Sequence, residues 1–175
     1  MSLLKNLLGL TSSTPAGPAA GDTETVRRIV GELEALDAAT ARYLAAFAYI
    51  LGRVAHADLR ISPEETVKME EIVHDLGHLP REQAILVVQI AKSQNRLFGG
   101  TENFLVTREF KEIASREQRR ELLDCLFAVS AADEAISVVE EEEVRRIASE
   151  LGFSDKEYVA ARAKYSRYRD VLKGL

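Results

Sequence analysis

From residue 24 on, apolar positions recur every three to four residues, the spacing of one face of an α-helix. Val26, Ile29, Val30, Leu33 and Leu36 form the first such face. Asp37 is placed to cap a second helix carrying Tyr43, Leu44, Phe47, Ile50, Leu51 and Val54. Ser62 caps the next, with Pro63 at its first position, where a missing amide hydrogen costs nothing. It carries Val67, Met69, Ile72, Val73 and Leu76, and Gly77 stops it. Pro80 opens a helix with Ile85, Leu86, Val87, Val88 and Ile90, apolar on most sides and so expected at the centre of the core. After the Gly99-Gly100 break comes a shorter helix over Thr101–Ala114 with Phe104, Leu105, Phe110 and Ile113. Ser115 and Gln118 form a capping box for the helix of Leu122, Leu123, Leu126, Phe127 and Val129. Ser137 caps a helix with Val144, Ile147, Ala148 and Leu151 that Gly152 ends. Ser154 and Glu157 open a final helix to about Arg169. Alternation of apolar and polar residues never lasts long enough for a sheet. The expected fold is all-α: a compact helical domain over 23–175, preceded by a tail and linker over 1–22.

A repeat organises this pattern. Asp-x-x-Ile-Ser-x-x-Glu occurs from Asp58 to Glu65 and again from Asp133 to Glu140, offset by 75 residues. Ile72 and Ile147, Leu76 and Leu151, and Gly77 and Gly152 keep the same offset. Both halves run in one order: apolar helix, acidic loop, capped helix, glycine, third helix. This predicts a pseudo-twofold repeat of three-helix units.

Composition narrows the function classes. Lys and Arg total 23 against 28 Asp and Glu, a net charge of −5. That argues against a dedicated nucleic-acid binder, which normally carries a basic face. The single cysteine, Cys125, excludes an intrachain disulfide and a cysteine-based zinc cluster, and fits a reducing cytoplasm. Its neighbours Leu122, Leu123, Leu126 and Phe127 predict burial. No apolar run is long enough for a bilayer span. Residues 1–10 hold five leucines around Lys5, without the basic region and long apolar stretch of a signal peptide. They suit docking on the domain, on a partner or on a membrane surface; docking or disorder is the simpler reading, since short isolated helices are marginal in water. Thr11–Gly21 reads as a flexible linker.

The repeated acids admit two explanations. In the first, Ser62 with Glu65 and Ser137 with Glu140 are capping boxes. Asp58 and Asp133 then favour the positive ends of the following helices, and Ile61 and Ile136 act as hydrophobic staples. In the second, the Asp and the Glu seven residues later match the closing half of an EF-hand loop. The opening half is missing, because Val54 and His56, or Val129 and Ala131, stand where its acids belong. One loop offers too few carboxylates for a divalent ion, whereas two loops brought together would offer four.

The two Ala-Asp-x-x-Ile-Ser-x-x-Glu copies, Arg145-Arg146-Ile147-Ala148, Leu151-Gly152-Phe153-Ser154, Tyr158–Arg162 and Arg119–Asp133 resemble the TerB-like tellurite-resistance family, especially its uncharacterised bacterial branch. The resemblance spans roughly Thr40–Arg169. It implies an all-helical domain with an internal repeat and clustered acids that hold a divalent metal ion of unspecified identity. On this chain those acids are Asp58, Glu65, Asp133 and Glu140. The family often has Gly after the motif Asp, where this chain has Leu59 and Glu134. Similar modules occur in a membrane-anchored DnaJ-like co-chaperone, so an interaction role with a protein partner is also implied.

Other features have plainer explanations. His74 and His78 lie four residues apart, but Gly77 falls between them and would misalign them as ligands. His56 stands two residues before Asp58 and could join that cluster. The acidic run Glu140–Glu143 opens a helix, so a solvated face is expected. Tyr158, Tyr165 and Tyr168 among Arg162, Lys164, Arg167, Arg169 and Lys173 read as core contacts with basic residues near a helix end. There is no Gly-rich phosphate loop, nucleophile elbow or His-Glu-x-x-His. The expected function is therefore non-enzymatic: a metal-responsive binding or scaffold domain, with a structural interaction module as the alternative. Because the linker isolates the leucine-rich tail, deletion of Met1–Gly21 is expected to leave the thermal midpoint nearly unchanged. A large drop would show that the leucines pack into the domain.

Overall fold

The computed structural model describes residues 20–55, 61–93, 100–132 and 135–169. They form eight α-helices: α1 (Ala20–Glu34), α2 (Ala38–Ala55), α3 (Pro63–Asp75), α4 (Arg81–Ser93), α5 (Gly100–Ile113), α6 (Arg116–Ala131), α7 (Val138–Glu150) and α8 (Asp155–Ala163). A 3-10 turn follows at Ser166–Tyr168. The architecture is all-α, as the periodicity predicts. Among the described residues no helix is long and apolar enough to cross a membrane.

The helix starts follow from local chemistry. Asp37 caps α2: the Thr40 amide donates to its Oδ1 at 2.9 Å and the Thr40 hydroxyl to its Oδ2 at 2.6 Å. Ser62, Ser115, Ser137 and Ser154 each form a complete capping box with Glu65, Gln118, Glu140 and Glu157. At Glu157 the Ser154 amide, then Arg116 and the Ser154 hydroxyl, hold the carboxyl down at about 2. Helix α1 starts at Ala20, so the expected linker is helical over its last two residues.

The centre of the core is α2, not the predicted α4. Helix α2 packs against α1, α4, α5, α6 and α7. Ala41, Ala45, Ala46, Ala48 and Gly52 are buried beside Leu44, Phe47, Ile50 and Leu51. The small residues let neighbours approach from several sides, while the large ones fill the spaces between helices. Phe47, Leu44, Ile50 and Leu51 are fully buried, each worth about 1.5–3 kcal/mol relative to exposure. Helix α4 buries Leu86, Val87, Val88 and Ile90 but carries the half-exposed Gln83, Ile85 and Gln89 on its outer side.

The helix bounds repeat at the sequence offset of 75 residues, with Pro63–Asp75 matching Val138–Glu150. The packing reciprocates: α2 lies on α7, α6 lies on α3, and α2 meets α6. The two expected glycine stops differ. Gly152 has φ 85°, the left-handed conformation of a C′ residue. Gly77 does not adopt positive φ; His78 does, at 51°. Gly77 is required for space instead, because an added Cβ would stand 2.5 Å from the Val73 carbonyl and 3.3 Å from the Phe47 ring. The predicted helix to Arg169 is also shorter: α8 ends at Ala163. The chain turns there so that the Tyr165 ring stacks on Phe127 at 5.6 Å, and the Tyr168 carbonyl accepts from the Ile136 amide at 2.6 Å.

One polar cluster crosses this core. Arg53, near the end of α2, has a side chain only 5% exposed. Its guanidinium bonds Glu143 at 2.8 Å and Glu150 at 2.8 Å on α7, and the Thr107 hydroxyl on α5 at 2.8 Å. Burial alone would lower the Arg53 pKa, but the Glu150 and Glu143 carboxylates more than offset it, so the charge is held. Arg53→Ala leaves the largely buried Glu150 without its guanidinium and Glu143 with Arg146 alone, and is expected to cost about 3–5 kcal/mol in urea unfolding. Arg108→Ala breaks only the exposed pair with Glu112 and is expected to cost no more than about 1 kcal/mol. Equal midpoints for the two variants would refute the structural role of Arg53.

Candidate metal site and the flanks of the acidic loops

Each acidic loop leads from a long apolar helix into a capped one: α2 into α3, and α6 into α7. Asp58 and Asp133, the aspartates of the expected metal set, lie outside the described residues, as does His56. Glu65 and Glu140 are described, and both serve as N3 acceptors of capping boxes. Glu140 accepts from the Ser137 amide at 2.8 Å and the Ser137 hydroxyl at 2.6 Å, and is 7% exposed. Glu65 accepts from the Ser62 amide in the same way and is half-buried. Among the described residues no group of three or more His, Cys, Asp or Glu side chains is arranged to hold a metal ion.

The flanks of the loops are braced across the two halves. Lys68 on α3 donates to the Ala132 carbonyl at 3.3 Å, immediately before Asp133. Glu143, at the equivalent position of α7, accepts from Arg53 at 2.8 Å, near the end of the helix that leads to Asp58. Lys68 and Glu143 each stand three residues after the motif glutamate, so they share its helix face. Each motif glutamate therefore stands about one turn before a side chain that reaches the opposite half.

The four-acid run is not the solvated face predicted for it. Glu140 is buried in its cap. Glu141 binds Arg169 through two bonds of 2.7 and 2.6 Å and Arg162 at 3.0 Å. Burial raises its pKa, but the two guanidiniums outweigh that and the net direction is down. Glu143 binds Arg53 and also Arg146 at 2.8 Å. Only Glu142 is exposed. The acids of a helix's first turn face solvent by default, but here basic residues on α2, α8 and the segment after α8 reach them.

His74 and His78 do not converge. His74 Nδ1 lies 2.8 Å from the Leu79 carbonyl, and His78 Nδ1 lies 2.9 Å from Glu121. Cys125 is buried, and burial pushes its thiol pKa up, leaving a neutral core group. Tyr158 and Tyr165 pack on Phe127 at 5.8 and 5.6 Å, with Arg162 over the Tyr158 ring at 5.5 Å, so these rings are core contacts; Lys164 and Arg167 are exposed, and Lys173 lies outside the described residues. An open cleft of about 610 Å³ runs along α7 and α8, lined by Glu142, Arg145, Ser149, Phe153, Asp155 and Tyr158 among others. Its lining offers Ser149 no histidine and mixes charges of both signs.

Arg53 is the residue that sequence reasoning missed. Its signal was a lone cation among Tyr49, Ile50, Leu51 and Val54, all of which are buried. A charge inside an apolar stripe needs a buried partner.

A family model described as Tellurite resistance protein TerB matches residues 43–163, well over half of the chain. No curated protein and no solved structure matches the chain. The matched span starts within α2 and runs to the end of α8, so it takes in the Arg53 cluster, both acidic loops and both capped helices. The chain belongs to the TerB tellurite-resistance family.

Proposed function

We propose that this protein is a non-enzymatic, metal-responsive binding or scaffold domain acting in tellurite or stress resistance. Its ligand is a divalent cation taken by Asp58, Glu65, Asp133 and Glu140. The observation that carries this reading is the reciprocal brace: Lys68 against Ala132 on one side and Glu143 against Arg53 on the other. It supports pairing each motif glutamate with the aspartate of the opposite loop. An ion there would cross-link the halves and report to whatever protein the domain engages.

A second reading is favoured by a specific observation. Ser115–Gln118 and Ser154–Glu157 build the same capping boxes with no Asp-x-x-Ile before them. The Ser-x-x-Glu half of the motif is therefore explained by helix capping alone, and the protein is then a structural interaction module. In that account the two aspartates only favour the positive ends of the helices that follow them.

Isothermal titration with calcium, magnesium, manganese and zinc separates the readings. Saturable heat from at least one ion, lost in the Asp58→Asn, Asp133→Asn double variant, is expected. Bound ion should also raise the thermal midpoint. Glu65→Gln plus Glu140→Gln is expected to keep its stability without ions to within about 0.5 kcal/mol, because Gln118 shows that an amide serves the same box. That variant should lose the ion-dependent rise. No heat with the native protein, or undiminished heat with the double Asn variant, would leave only the capping role.

A further inference from the structure

The exit of α7 gathers cations that no nearby acid answers. A Cβ built on Gly152 would stand 2.9 Å from Lys111 Cε, 3.2 Å from Lys111 Nζ and 3.5 Å from Arg119 Nη1. The tips of Lys111 from α5 and Arg119 from α6 therefore meet over a bare Cα. Arg119 Nη1 donates to the Leu151 carbonyl at 2.7 Å, while its Nε is buried and has no acceptor among the described residues. Buried donors are rarely left so. Lys111 is exposed, with no hydrogen bond or ion pair among the described residues. The acids around it serve other cations: Glu112 binds Arg108, Glu150 binds Arg53, Asp155 binds Arg145 and Glu157 binds Arg116. Glu117 lies two residues before Arg119, off its helix face.

Capping of α7 does not account for both cations. That end is already closed by its own backbone, with the Gly152 amide on the Ser149 carbonyl at 3.0 Å and the Phe153 amide on the Ala148 carbonyl at 3.0 Å. A helix C-terminus carries about half a negative charge, against two full positive ones here. Two helix starts add to the positive field. Arg116, the first residue of α6, binds Glu157 in the first turn of α8 and lies over the Phe153 ring at 5.5 Å. The positive ends of α6 and α8 therefore adjoin beside Gly152.

We propose that Lys111 and Arg119 form a binding site for a small divalent oxyanion of the phosphate type, seated beside Gly152. The charge matches the two cations. Several oxygens can accept from an ammonium and a planar guanidinium together, which a halide cannot do as well. The glycine matters because any side chain there would push the lysine away from the arginine. The site belongs to the second half alone. Leu36 and Leu44 stand 75 residues before Lys111 and Arg119, and a Cβ on Gly77 would meet the Phe47 ring at 3.3 Å and Cys125 Sγ at 3.4 Å.

Titration of the isotope-labelled full chain with sodium phosphate, against sodium chloride at equal ionic strength, tests the proposal. The amides of Gly152 and Phe153 are expected to shift saturably with phosphate and not with chloride. Lys111→Gln, which leaves the Arg119 bond to Leu151 in place, should weaken that binding by about tenfold or more, the effect of losing about 1.4 kcal/mol. Its circular dichroism should match the native protein, because Lys111 is exposed and unbonded. Arg28→Gln removes an exposed cation on α1 and should leave the midpoint unchanged. No saturable phosphate shift at Gly152, an equal response to chloride, or undiminished binding by Lys111→Gln overturns the proposal. Equal weakening in Arg28→Gln would show general charge screening and overturn it too.

Discussion

The constraint on which the rest depends is the charge of Arg53 inside the core. A guanidinium only 5% exposed survives only with its charge matched and its donors used. Glu143, Glu150 and Thr107 meet that demand from two other helices. Because α2 touches five neighbouring helices, an orientation fixed at Arg53 is passed on to most of the domain. Apolar packing alone would tolerate small slides of α7 along α2. A buried fork bound to two carboxylates one to two turns apart does not.

The same cluster explains why the halves are alike in outline and unlike in detail. Position for position, Lys68 corresponds to Glu143, and both reach the end of the opposite apolar helix. One contact is an exposed lysine on a carbonyl, the other a buried ion pair. The second half is tied down further by Glu141 with Arg162 and Arg169. The capped helix recurs at the 75-residue offset, and the strong electrostatics sit on the second occurrence. Gly77 and Gly152 show the same contrast: identical residues, one needed for space and one for its left-handed backbone.

Most of the fold was legible because it is written in local chemistry. Capping serines, the Asp37 cap and the 3.6-residue periodicity act within one or two turns, and the structure follows them closely. What stayed hidden is non-local. Arg53 finds its carboxylates 90 and 97 residues away, and no window along the chain links them. Glu141 and Glu143 read as solvated because their partners come from other helices. Helix α4 was expected at the centre because its side chains are large. Position in the core was decided instead by the small residues of α2, which let neighbours close in. The shortened α8 reflects Tyr165 and Tyr168, whose partners Phe127 and Ile136 outweigh helix continuation. The candidate site was legible only in part: the glutamates fall in the boxes expected of them, and the cross-bracing of their helices was not visible in the sequence.

For function, the two motif helices matter as a pair. In each, the residue three places after the motif glutamate reaches the opposite half, Lys68 at Ala132 and Glu143 at Arg53. If the acids act together, one ion should be sensed by both halves at once. Titration of isotope-labelled protein with manganese, read as paramagnetic broadening of backbone amides, tests this directly. The account predicts that amides of residues 61–66 and 136–141 broaden in parallel, with one shared midpoint. Broadening confined to one motif, or none at either, would contradict it.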